Sequence, residues 1–169
     1  MKRPVPISVP IVVVLAVVTA GLASAAPAKL VANKQRIALE VKVPLTANTG
    51  KFVLVTLTSG PLKVDFGSIA ITTGPTPVFR GRIIHGQSVD RFRGTDKLKG
   101  MHGTLVISLQ VDFASAGNGY QVGTGTWAIV SGTNAYAGLT GGGRSAFMRP
   151  PVPPGRFGFA EHEGFVTTP

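Results

Sequence analysis

From residue 36 onward, apolar side chains recur at every second position. Ile37, Leu39, Val41 and Val43 alternate with Arg36, Ala38, Glu40 and Lys42, the period of a strand with one buried face. Leu105, Ile107, Leu109, Val111 and Phe113 alternate with Thr104, Val106, Ser108, Gln110 and Asp112 still more regularly. Further strands are predicted over 51–58, 62–73, 78–84, 89–93, 120–130, 144–148 and 156–166. The segment 62–73 changes phase: Leu62, Val64 and Phe66 share one parity, Ile69 and Ile71 the other. A one-residue slip would turn half the strand away from the core, so the pattern predicts a bulge at Gly67-Ser68.

Turn chemistry separates these runs. Ala47-Asn48-Thr49-Gly50, Ser59-Gly60-Pro61, Thr73-Gly74-Pro75, Ala116-Gly117-Asn118-Gly119 and Ser131-Gly132-Thr133-Asn134 all favour reversals. With 22 Gly and 13 Pro among 169 residues, no window supports an amphipathic helix of useful length. Many short strands joined by tight turns predict an all-β domain, a sandwich or a barrel.

The N-terminus follows a different pattern. Met1-Lys2-Arg3 precedes an apolar run from Ile11 to Ala20, then Ala23-Ser24-Ala25, the three-part signature of a secretory signal peptide. The strongly apolar run is shorter than the ~20 residues of a spanning helix, so cleavage after Ala25 is expected. The reading is a signal peptide over 1–25, a short tether over 26–35 and a single β domain over 36–169, secreted and not membrane-spanning after cleavage. Losing Lys2 and Arg3 takes the formal charge from +10 to +8. The absence of cysteine leaves core and backbone ladder to stabilise an exported fold.

Much of the positive charge lies in the segment Arg80–Lys99, where Arg80, Arg82, Arg91, Arg93, Lys97 and Lys99 outnumber Asp90 and Asp96. Such a run is ordinarily a solvated face, and acidic envelope polymers are the partner it would attract. Nucleic acid is excluded as a partner: no binding motif is present, and Tyr and Trp are scarce.

The most distinctive stretch is Gly123-Thr124-Gly125-Thr126-Trp127, continuing through Gly132-Thr133-Asn134-Ala135-Tyr136 to Gly141-Gly142-Gly143-Arg144. It resembles the strand–turn–strand block of the allene oxide cyclase-like barrels, a group similar also to the dirigent proteins. Asn134 stands where that family usually has glycine, and Asn tolerates left-handed backbone. Gly100-Met101-His102-Gly103-Thr104, leading into an apolar strand, is similar as well. The resemblance implies an antiparallel, calycin-like barrel of about eight strands with an apolar interior. It also implies either ring closure on a lipid-like substrate or the steering of aromatic radicals without catalysis. No functional residue of those families maps onto this chain.

The chain's own chemistry narrows little further. Gly138-Leu139-Thr140-Gly141-Gly142-Gly143-Arg144-Ser145 mimics a phosphate loop, but no helix follows to converge its N–H groups. There is no Ser-His-Asp order or Gly-x-Ser-x-Gly elbow. His85, His102 and His162 show no ligand spacing, so no metal and no cofactor are expected. Glu161-His162-Glu163 is the remaining catalytic candidate. If the glutamates share an inner face with Phe157 and Phe159, a carboxyl in an apolar site can act as acid or base. If they face solvent, His162 fills the interior, the orientation favoured because charges rarely face a core unpaired. Trp127, Tyr136, Phe157 and Phe159 are candidates to line a ligand cavity, and core packing accounts for Trp127 and Tyr136 equally well. The leading expectation is a non-enzymatic binder of a small apolar or aromatic molecule. A cyclase or isomerase using Glu161 or Glu163, and a basic binder of acidic polymers, are the alternatives.

Overall fold

The computed structural model describes residues 34–151 and 157–169, side chains at 73–75 excepted. The expected signal peptide and nearly all of the tether lie outside the described residues. Eight antiparallel strands follow in chain order: β1 Lys34–Pro44, β2 Thr49–Thr56, β3 Asp65–Ile84, β4 Gln87–Gly100, β5 Thr104–Gly117, β6 Tyr120–Gly132, β7 Thr140–Arg149 and β8 Phe157–Thr167. Each pairs with its sequence neighbour, and β8 returns to β1, which closes the sheet into a barrel. Closure leaves no unpaired edge. Among the described residues no helix is long and apolar enough to cross a membrane.

The period-two pattern sets the inner wall. Ile37, Leu39 and Val41 of β1, Leu105 and Ile107 of β5, and Trp127 of β6 are buried in one core with Phe52, Leu54, Ile69 and Leu98. β1 begins two residues before the expected boundary, because Gln35 is also buried there and pairs opposite Val166 of β8. The interior is shaped by glycine where it must be. Gly143 lies in register between Trp127 and Gly164, leaving β7 bare. The Trp127 indole spans that gap and donates its Nε1–H to the Glu163 carbonyl on β8 at 3.2 Å.

Two expectations about the third strand need correction. No bulge occurs at Gly67: the register with β2 and β4 runs unbroken from Phe66 to Ala70 on one side and Gly67 to Ile71 on the other. Leu62 is buried ahead of the strand, while Val64 and Phe66 lie exposed and Asp65 takes the inner position. The hydrophobic parity misled because a satisfied carboxylate outcompeted phenylalanine for the interior. Nor do residues 73–75 end the strand. β3 runs on to Ile84 and absorbs the irregular stretch as register shifts between Ile71 and Arg82, the position in a sheet where proline is tolerated. Two expected strands thus merge into one.

One end of the barrel is plugged. The Tyr136 hydroxyl, carried by the 3-10 turn Asn134–Tyr136, donates to Asp65 Oδ2 at 2.6 Å. Asp65 also accepts the backbone N–H groups of Phe66, Met101 and His102. Beside it, the Gln35 amide donates to the carbonyls of Thr58 and Leu62 and accepts the Leu62 N–H. As the block 123–144 anticipates, Tyr136 is 2% exposed, β6 and β7 are antiparallel neighbours, and Asn134 has φ 56°. Gly141, Gly142 and Gly143 belong to β7 rather than to the connection.

Candidate functional site: the open end of the barrel

The opposite end is open. Past Val41 on β1 and Leu109 on β5 the inner side chains no longer meet across the axis, leaving a cavity of about 600 Å³. Its wall is apolar: Val41, Val43, Leu109, Val111 and Ala160 contribute, with a file of rings running inward. Phe92 packs edge-on against Phe113 at 6.0 Å, Phe113 against Phe147 at 5.7 Å, and Phe147 against the His162 imidazole at 5.4 Å. Rings offset in this way pack more favourably than stacked pairs. The cavity's polar groups are Asn48, Arg80, Asp90, Arg93, Gln121 and Arg149 around the opening and Asp96 in the wall.

Asp96 is the unusual member. Its place on β4 is opposite Ile71 on one side and Ile107 on the other. Only 9% exposed, it has no hydrogen-bond or ion-pair partner among the described residues. Burial pushes its carboxyl up to about 6, because a low-dielectric site disfavours the charged form. A carboxyl poised there can accept a hydrogen bond, pair with a cation, or exchange a proton with a molecule in the cavity. In the sequence it stands out only as an anion within the basic segment.

His162 is wholly buried, its Nδ1 sharing a 2.7 Å hydrogen bond with Ser145 Oγ. Its Nε2 has no partner among the described residues. Burial lowers the imidazole to about 4, so the ring is neutral near pH 7.

The strand alternation that takes His162 inward turns Glu161 and Glu163 outward, where both border a polar groove of about 630 Å³ with Arg91, Asp112 and Arg144. Glu163 is ion-paired with Arg36. The conditional placement of these glutamates inside the barrel is therefore corrected, and the solvent-facing orientation is the one found. Of the four aromatic candidates, Phe159 touches the cavity only at its mouth: the residue is 43% exposed, on the outward parity of Glu161, with Lys42 Nζ 5.7 Å from its ring. Trp127 and Tyr136 belong to the core below it. The ring of Phe157 carries the Lys42 ammonium at 4.2 Å, a cation–π contact of the outer wall. Among the described residues no cluster of His, Asp and Glu could hold a metal ion.

The basic segment does not form one free patch. Arg91 is held by Asp112 through Nε at 2.5 Å and Nη2 at 2.6 Å. Arg93 donates to Gln110 Oε1 at 2.9 Å, and Arg80 sits over the Phe92 ring at 5.9 Å.

No protein-family model, curated protein or solved structure matches this chain. What the fold and site define is a class: a closed antiparallel β-barrel with one end plugged and the other end open on an apolar cavity.

Proposed function

We propose that this protein is an exported binder of a small apolar or aromatic molecule, held in the open end of the barrel and released unchanged. The observation that carries the reading is the cavity itself. At about 600 Å³ it lies within the range of sites that enclose small ligands, with apolar walls and a few polar groups to orient the occupant. Export is supported by the three-part N-terminal signature, with Ala26 as the first mature residue.

The test is direct. Titration with 1-naphthylmethanol, followed by the probe's own fluorescence, should give saturable binding. Ala160 lines the cavity and packs against the core, so Ala160→Phe should fill the site and abolish most of that binding. Circular dichroism checks that the variant keeps its strands. Equal binding by wild type and a folded Ala160→Phe protein would overturn the reading.

A further inference from the structure

We propose that the natural occupant carries a protonated amine, and that the barrel recognises it by pairing that ammonium group with Asp96. This rests on the cavity being a ligand site, and it names the class of molecule that the site selects. Four observations converge on it.

First, Asp96 is more than nine-tenths buried, borders the cavity, and has no partner among the described residues. A buried carboxylate left unpaired is strongly unfavourable, and removing a partner from a buried pair is among the most damaging changes a protein can suffer. Such a group calls for an explanation, and a partner supplied from outside the chain is one. Second, its cross-strand neighbours Ile71 and Ile107 offer no proton and no charge. The carboxyl therefore meets whatever occupies the cavity.

Third, an apolar body is accommodated by the walls that precede Asp96, from Phe92 and Phe113 to Leu109 and Val41. Fourth, the remaining charges do not compete for the same role. Arg93 is engaged by Gln110, and Asp90 accepts the Gly81 N–H at 2.7 Å. Arg80, Arg93 and Arg149 are solvent-exposed; their field acts through water and is screened within ~8 Å at physiological salt. Asp96 acts through protein, where the same charge counts for several times more. A cation can pass the rim and be held inside, whereas an anion drawn to the rim arginines would meet the Asp96 charge further in. His162 also lies inside the barrel, but it is neutral near pH 7 and bonded to Ser145.

The probes are 1-naphthylmethylamine, 1-naphthylmethanol and 1-naphthoic acid, which share one apolar body. Wild-type protein at pH 7.5 should bind the amine at least about tenfold more tightly than the alcohol, the discrimination expected of a hydrogen bond to a charged group. The acid should be the weakest. Asp96→Asn, close to isosteric, should erase the advantage of the amine over the alcohol. Independently of any variant, amine affinity in wild type should fall as pH drops below about 6, while alcohol affinity stays level. Amine and alcohol binding equally in both proteins and at both pH values would overturn the pairing and leave the cavity reading intact. Failure of all three probes to bind, or binding unaffected by Ala160→Phe, would overturn the cavity reading and this inference together.

Discussion

Asp65 and Asp96 are both carboxylates turned into the same barrel, and their surroundings give them opposite characters. Burial alone would raise Asp65, but the Tyr136 hydroxyl and three backbone N–H groups outweigh it and hold its pKa below the usual carboxylate value. Asp96 has the burial without the donors and goes the other way. The first is therefore a structural anchor, and the second is the group proposed to meet a ligand. Tyr136 itself is raised, through burial and the hydrogen bond it donates to the Asp65 carboxylate. Tyr136→Phe keeps the ring and deletes one charge-assisted hydrogen bond, so urea unfolding should show a loss of about 1.5–3 kcal/mol. Tyr136→Ala also removes the ring and should cost on the order of 3–5 kcal/mol. A silent Tyr136→Phe would mean that the Asp65 cluster does not hold the floor. Tyr136 was legible from its place after a turn and before three glycines. Asp96 was not, because a charged strand such as 87–100 reads as solvated, and alternation cannot say which charge faces in.

At the scale of the strand, β3 departs furthest from its own hydropathy. The pattern Leu62, Val64, Phe66 describes a buried face, yet Phe66 is 54% exposed and Asp65 fully enclosed. Four hydrogen bonds to a carboxylate are invisible to hydropathy, and they set the register that a phenylalanine would otherwise choose. β1, β5 and β8 were readable because little that is polar contests their inner face: Gln35 at the first inward position of β1, which the pattern misses, and His162, which alternation itself assigned. Gly67 then has a different role from the one its sequence position suggests. A Cβ at that residue would lie 2.0 Å from the Lys99 carbonyl and 2.9 Å from the Gly100 Cα, both backbone atoms of β4. Gly67→Ala should therefore push β3 from β4 and lower stability by roughly 1–3 kcal/mol, in the range of core overpacking. A bulge would have relieved that contact. A thermal midpoint within error of wild type would mean that the two strands do not approach so closely.

Across the whole molecule, two of the buried titratable groups, Asp96 and His162, have linkages to folding that oppose each other. His162 sits at about 4 in the folded state against 6.5 when exposed. Between those values the unfolded chain binds more protons, so this group makes stability rise with pH, and its contribution is lost as pH falls from 6.5 toward 4. Asp96 sits at about 6 against 3.8. Between those values the folded chain holds more protons, so this group makes stability fall as pH rises, with no penalty below 3.8 and the full penalty above 6. Each amounts to roughly 3 kcal/mol, because a tenfold change in proton affinity corresponds to about 1.4 kcal/mol. Over pH 4 to 6 the two slopes nearly cancel, and wild-type stability from urea unfolding should be close to flat in the contribution of these two groups. Asp96→Asn removes one slope and exposes the other: its stability should climb by about 1.4 kcal/mol for each step of one in pH, up to 6.5. The same variant should exceed wild type at pH 7.5, where the unpaired carboxylate is charged, and lose that advantage near pH 4. Replacing His162 with Gln should reverse the slope, giving a protein that weakens as pH rises toward 6. Parallel profiles for wild type and Asp96→Asn would show that Asp96 titrates alike in the folded and unfolded chain, and that the cavity is wet enough to solvate it. A carboxylate so solvated would have no need of a ligand's charge, so this stability measurement bears on the proposed recognition without any ligand being present.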